Sequence, residues 1–114
     1  MYNYKMIIKI TNNDDVFFGN GPALLLELID ETKSISKAAK QMNMAYSKAC
    51  RLIKLAETEL KFKLIETKTG GIGGGGSVLT EKAILLLNAY REAEKKLDDE
   101  AHELFIKIIL PTLD

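Results

Sequence analysis

Ile35-Ser36-Lys37-Ala38-Ala39-Lys40-Gln41-Met42-Asn43-Met44-Ala45-Tyr46-Ser47-Lys48-Ala49-Cys50-Arg51-Leu52 is the stretch on which the reading of the fold turns. It predicts a short helix, a tight turn and a longer helix from about residue 45 to residue 61. Ser34 or Ser36 can cap the first helix by accepting from its free N–H groups. Two helices that cross steeply need a small side chain at the contact, and Ala39 supplies it. The turn needs a residue that tolerates positive φ, which asparagine does better than most non-glycine residues, so Asn43 is placed there. Ala49 and Leu52 then fall in register to seat the second helix on the first. An ordinary helical hairpin would satisfy part of the same pattern.

The surface of the longer helix separates these alternatives. Ala49, Leu52, Ile53, Ala56 and Leu60 share one face, while Ser47, Lys48, Arg51, Lys54 and Thr58 share the other. No acidic residue precedes Glu57 on this helix, whereas a solvated face would mix its charges from the start. Arginine grips guanine with two hydrogen bonds, lysine reaches guanine or phosphate, and serine and tyrosine suit phosphate oxygens or base edges. Tyr46, Ser47, Lys48, Arg51 and Lys54 are therefore expected to meet a DNA duplex, with Ser34 and Ser36 beside them on the preceding helix. The net charge of zero hides an asymmetry that agrees with this. Residues 33–68 carry nine basic and three acidic side chains, +6, and the segments on either side carry −3 each. Such a field points to a polyanionic partner.

Outward from this core, residues 2–19 read as a β-hairpin. Met6 to Ile10 is a β-prone run, Asn12-Asn13-Asp14-Asp15 a turn cluster, and Val16-Phe17-Phe18 the return strand. Gly21 as cap and Pro22 in the first helical position open a helix whose Leu24, Leu25, Leu28 and Ile29 form a core stripe. On the other side, residues 62–67 and 77–79 read as two strands around Gly70-Gly71-Ile72-Gly73-Gly74-Gly75-Gly76. A hairpin with a glycine tip can bring its backbone close to phosphate, and its N–H groups can bind phosphate oxygens. Thr67, Lys68, Thr69, Gly71, Gly73, Gly74, Gly75 and Ser77 are expected to contribute there. A plain flexible loop is the alternative. Thr80 then caps a last helix that Pro111 is expected to stop.

That last helix is too long, at about 30 residues or 45 Å, for so small a domain to cover. Ala83, Leu87, Tyr90, Glu94, Leu97, Ala101, Leu104 and Ile108 recur by alternating steps of four and three, with Phe105, Ile106, Ile109 and Leu110 at an apolar end. The seam predicts a homodimer through Leu87, Tyr90, Leu97, Ala101, Leu104, Phe105 and Ile108. A helix folded back on its own domain is the alternative.

Other functions fit poorly. Gly71 to Gly76 satisfies the dinucleotide-binding spacing, but a strand follows it where a helix should open, and no Gly-Lys-Ser/Thr follows for a phosphate-binding loop. His102 stands alone on an acidic helix, Cys50 is the only cysteine, and no nucleophile, acid–base pair or metal cluster can be assembled. The expectation is no catalysis, no metal and no cofactor. No run approaches the ~20 apolar residues of a membrane span, and no secretory segment is recognisable, so the expected location is the cytoplasm. Apolar residues at 46% and charged residues at 28% are ordinary for one globular domain.

The sequence resembles the N-terminal DNA-binding domain of ModE-type, molybdate-responsive transcriptional regulators, and more distantly the LysR-type winged helix. The matching residues are Gly21-Pro22-Ala23-Leu24-Leu25-Leu26, Ile29-Asp30-Glu31-Thr32, Ser34-Ile35-Ser36 with Ala38-Ala39, Tyr46 with Ala49, and the run from Thr69 to Thr80. They cover about residues 19–91. The resemblance implies a winged helix-turn-helix, a dimer and major-groove contacts near Tyr46 and Lys48. Ile72 stands where the family's wings carry a basic residue, and Cys50 where a tryptophan is usual. The resemblance also implies a stand-alone domain, without the family's oxyanion-binding domain, so it assigns neither molybdate nor any other effector.

The whole reading is an α+β protein. Residues 1–80 form a winged helix-turn-helix domain, with an N-terminal hairpin (2–19), helix-turn-helix (35–61) and wing (62–79). Residues 81–114 form a long C-terminal dimerisation helix. The expected function is sequence-specific binding of double-stranded DNA by a homodimer that regulates transcription. A winged-helix module that docks proteins without binding DNA is the alternative.

Overall fold

The computed structural model describes residues 1–68 and 76–113. Helix α1 (Asn20–Thr32) is the pivot, packed against each of the other long elements. A hairpin of β1 (Ile10–Asn12) and β2 (Asp15–Phe18) precedes it. Helices α2 (Ile35–Gln41) and α3 (Tyr46–Leu60), strands β3 (Ile65–Lys68) and β4 (Gly76–Leu79), and helix α4 (Glu81–Leu104) follow. A π-helical turn (Phe105–Ile109) then leads into a last short helix, α5 (Leu110–Leu113). The mixed α+β winged architecture is the one expected, with two antiparallel two-stranded sheets.

The core forms where α1, α3 and α4 converge. Phe18, Leu25, Leu26, Ile29 and Leu64 are its largest fully enclosed side chains. Phe18 meets Tyr90 edge to face at 5.3 Å between ring centres, a favourable arrangement of ring quadrupoles. Ala38, Ala39, Ala49 and Ala56 are buried where α2 and α3 cross, so the small-residue requirement of the motif is met as expected. Asn43 takes φ 53°, and Met44 N donates to Ala39 O at 2.9 Å, which closes the turn.

Several boundaries differ from the sequence reading, each for a physical reason. Helix α1 starts with Gly19 as cap rather than Gly21, which puts Pro22 third in the helix. Its missing N–H is still one of the first-turn donors that no carbonyl would have used. The N-terminal hairpin is confined to residues 10–18. Asn13 and Asp14 both have positive φ, 50° and 68°, the signature of a two-residue hairpin turn. The segment before it, Tyr4 to Lys9, has no strand partner among the described residues. It lies along α4 instead, where the Tyr90 hydroxyl donates to Ile8 O at 2.7 Å and the Tyr4 hydroxyl to Asp98 at 3.0 Å. Side chains there alternate, with Tyr4, Met6 and Ile8 half-buried and Lys5, Ile7 and Lys9 exposed.

The long helix departs from expectation twice. Pro111 does not end it, since helical structure runs on to Leu113. The preceding π turn, in which Leu110 N donates to Phe105 O, shifts the hydrogen-bond register ahead of a residue with no N–H of its own. The predicted seam is also divided. Leu87 and Tyr90 are buried in the chain's own core because the first turns of α4 lie on α1, and Phe105 is buried beneath Tyr4 at 5.3 Å between rings. These three side chains are already packed within the chain. Ala101 is half-buried, while Leu97, Leu104 and Ile108 are exposed.

Arg91 ties α4 to α1. Its guanidinium makes two bonds to Glu27, at 2.7 and 3.1 Å, one to Glu94 at 2.8 Å and one to Asn20 at 2.8 Å. The hydrogen bonds it donates to Glu27 lead in raising its pKa above the ordinary arginine value, so it stays a cation throughout.

Two predictions follow from these contacts. Lys61, the C-cap of α3, sits at φ 64°, where glycine has no Cβ penalty. Lys61→Gly is expected to raise stability by roughly 0.5–1 kcal/mol in thermal unfolding, strain relief exceeding the added chain entropy. Burial, the leading cause, pushes the Tyr90 phenol above its ordinary value. Its stabilising contribution is therefore complete below the unfolded phenol's pKa and is lost as pH climbs through the higher folded one. Tyr90→Phe should cost about 1 kcal/mol at neutral pH and shrink the alkaline loss of stability, read by urea titration across pH 7–11.

Candidate nucleic-acid interface

Helix α3 starts without a side-chain cap. Ala45 is its cap residue, at φ −64° and ψ 142°, and no acidic side chain lies in its first turn. Its leading N–H groups and the positive end of its dipole are thus available to an anion. Further along, Ser47, Arg51, Lys54 and Thr58 recur by steps of four and three, which sets them on one face, with Lys48 beside them. All five are exposed, as is Tyr46 at 57%. Neither the Lys48 nor the Arg51 side chain makes a hydrogen bond to the chain's own backbone among the described residues, and both are exposed. Among the described residues, Lys37, Lys40, Lys48, Arg51 and Lys54 have no carboxylate partner. The hydrogen-bonding Cys50 thiol, one turn along, holds the Tyr46 phenol above its ordinary value, so it remains a neutral donor.

Helix α2 packs on the opposite, buried side of α3, with its own start capped. Ser34 Oγ accepts from Lys37 N at 3.0 Å, and Ser34 N donates to Thr32 Oγ1 at 3.2 Å. Ser34 is therefore half-buried and occupied as a cap, while Ser36 is exposed.

Three fastenings set the wing, β3–β4, relative to α3. Near the end of α3, Glu57 Oε2 accepts from Leu64 N at 2.8 Å and Ile65 N at 3.3 Å. At the α1–α2 corner, Lys33 turns at φ 59° and its carbonyl accepts from Ser77 N at 2.9 Å. Gly76 lies so close that a Cβ there would stand 2.9 Å from the same oxygen, so the approach requires glycine. At the base, Thr80 Oγ1 donates to Lys63 O at 2.7 Å and accepts from Ala83 N at 3.1 Å, while Thr80 N donates to Leu64 O.

The expected wing contacts therefore divide. Thr67 and Lys68 are exposed on β3. Ser77 is half-buried, and its backbone N–H is taken by Lys33, so it cannot give that donor to a phosphate. Thr69, Gly71, Gly73, Gly74 and Gly75 lie outside the described residues, as does Ile72. Sequence reasoning missed Glu57 and the Lys33 carbonyl as positioning groups. An acid following the run of cations on α3, the first of two with Glu59, was a signal for the first; nothing in a sequence marks a backbone carbonyl.

A family model for bacterial regulatory helix-turn-helix proteins of the lysR family matches residues 24–83, from within α1 to the first turn of α4. The chain belongs to that family. The match contains both helices of the motif, the wing and its three fastenings. Among curated proteins, this lysR-family chain is 42% identical over 72 residues to the molybdenum transport protein ModE of Herbaspirillum seropedicae, covering 63% of this chain and 27% of that protein. It is 30% identical over 104 residues to the transcriptional regulator ModE of Haemophilus influenzae, covering 91% and 41%. It is 39% identical over 66 residues to the transcriptional regulator ModE of Yersinia pestis, covering 58% and 25%. The chain thus spans between a quarter and about two-fifths of the length of these relatives.

No described helix is long and apolar enough to cross a membrane, and no described cluster of His, Cys, Asp or Glu could hold a metal.

The Glu57 fastening is directly testable. Glu57→Ala leaves two N–H groups at the root of the wing without their acceptor. It is expected to cost about 1–3 kcal/mol in thermal unfolding, whereas Glu66→Ala on the exposed face of β3 should stay within about 0.5 kcal/mol.

Proposed function

We propose that this chain is the DNA-binding part of a transcription regulator and acts as a homodimer. In this reading, the first turns of α3 enter the major groove of a duplex while the β3–β4 wing grips the backbone or minor groove alongside. The observation that carries it is the exposed face of α3, whose Lys48, Arg51 and Lys54 have no carboxylate partner among the described residues. Cations left without counterions inside a protein are stabilised by a polyanion that fits them, and a duplex carries one phosphate charge per ~1.7 Å of axis. Membership of a regulatory helix-turn-helix family supports the same partner, as do relatives named transcriptional regulator.

In the proposed division of labour, Arg51 and Lys48 read base edges. Tyr46, Ser47, Ser36 and Lys54 take phosphates or flanking edges. Thr67, Lys68 and the tip from Thr69 through Gly71, Gly73, Gly74 and Gly75 hold the backbone. Dimerisation is proposed through the distal half of the C-terminal helix. There Leu97, Leu104 and Ile108 expose 49%, 47% and 63% of their surface. Two copies joined there would present two α3 helices to a two-fold symmetric site.

Fluorescence anisotropy with duplexes from the upstream region of its own gene, across a salt series, tests the DNA reading. Affinity should fall steeply with salt. Lys48→Ala with Arg51→Ala should cost about 1–3 kcal/mol per lost base contact and abolish sequence preference. Binding that ignores salt, or preference that survives both changes, would refute the assignment. In sedimentation velocity, the parent should run as a dimer and Leu97→Glu with Ile108→Glu as a monomer. An unchanged dimer would move the interface elsewhere.

A further inference from the structure

We propose that Lys61, Lys63 and Lys82 form a second cationic site that binds the phosphodiester backbone of the duplex outside the segment whose bases α3 reads. The inference rests on the DNA-binding reading above and extends it to residues at the far end of α3. The stripe of Ser47, Arg51, Lys54 and Thr58 leads onto Lys61, the left-handed cap just past the end of α3, which lines one cleft with Lys54 and Thr58. From Ser47 to Thr58 that stripe runs about 16 Å. The major groove is only about 12 Å wide. A helix that enters by its first turns therefore carries its last ones out across the rim, where phosphates and not base edges are met.

Side chains at that end are arranged for such a meeting. Lys54, Lys61 and Lys63 line an open cleft of about 290 Å³ with Glu57, Thr58 and Phe62. Lys82, from the first turn of α4, adds a fourth ammonium 5.2 Å from the centre of the Phe62 ring. The one carboxylate in the cleft balances one of these four charges at most, that of Lys63. Glu57 Oε2 is occupied by two backbone N–H groups, and Oε1 stands 3.9 Å from Lys63 Nζ. Among the described residues Lys54, Lys61 and Lys82 have no ion pair. On the distal part of the long helix, by contrast, Lys95, Lys96 and Lys107 each pair with a carboxylate four residues before or after them. The unpaired group is continuous with the DNA-facing stripe and lies on the side of the helix that Glu57 ties to the wing. Continuity with that stripe favours the DNA backbone over an acidic protein as partner.

The test is the salt dependence of binding to a fluorescein-labelled, mixed-sequence duplex of about 30 base pairs, which reads phosphate contacts alone. Lys61→Gln, Lys63→Gln and Lys82→Gln together should lower the slope of log affinity against log salt by about 2–3, and Lys61→Gln alone by about 1. Lys95→Gln, Lys96→Gln and Lys107→Gln together remove the same charge from the paired lysines and should leave the slope unchanged. Circular dichroism melts establish that each variant is folded. A steep parental slope that the Lys61, Lys63 and Lys82 variant retains would overturn this inference and leave the DNA reading standing. An equal fall in both triple variants would also overturn it, since only net charge would then matter. No duplex binding by the parent would remove both.

Discussion

One carboxylate oxygen of Glu57 accepts two backbone N–H groups, from Leu64 and Ile65, at the point where the chain leaves α3 and turns into the wing. Bonds to an ionised acceptor are about twice as strong as neutral ones. This pair sits at a half-buried position where water competes poorly. It converts the direction of a helix into the direction of a hairpin. In the proposed reading, a helix in the groove and a hairpin on the backbone serve together because their relative placement is fixed beforehand, since ordering them on binding would subtract from affinity. The Lys33 carbonyl and the Thr80 hydroxyl hold the other strand and the base of the same hairpin. The wing is thus pinned to α1, α3 and α4 at once.

The charge distribution follows the same division of labour. The long helix is rich in both signs, and three of its lysines are matched within about one turn, in Lys95–Asp99, Lys96–Glu92 and Lys107–Glu103. Exposed pairs of this kind contribute little stability, but they leave only a weak field. The motif helices keep their cations unmatched, so the field of the molecule is concentrated on one side although its net charge is zero.

Much of this was legible in the sequence because the signals were local. Ala39, Asn43 and Ala49 encode a crossing and a turn through size and φ preference, and they stand as read. The cap by Ser34 and the cap by Thr80 are side chain to nearby backbone bonds of the same local kind. What could not be read depends on tertiary choice. Met6 to Lys9 has strand propensity but lies on a tyrosine-bearing helix face, and only Ile10 of that run joins a strand. Leu87 and Tyr90 have the spacing of a dimer seam, yet the same spacing serves a helix laid on its own core. Ser77 reads as a surface donor until the α1–α2 corner claims its N–H. In each case periodicity gave the face and the rest of the chain decided what covered it.

The π turn at Phe105–Ile109 carries a geometric consequence for the C-terminal end. A regular helix advances about 100° per residue, and a turn widened by one residue offsets everything after it by roughly that angle. Leu97 and Leu104 lie two turns apart on one line of the helix, while Leu110 and Leu113, after the π turn, carry the offset. A flat surface laid along Leu97 and Leu104 would therefore meet the side chains beyond Ile109 at a different angle.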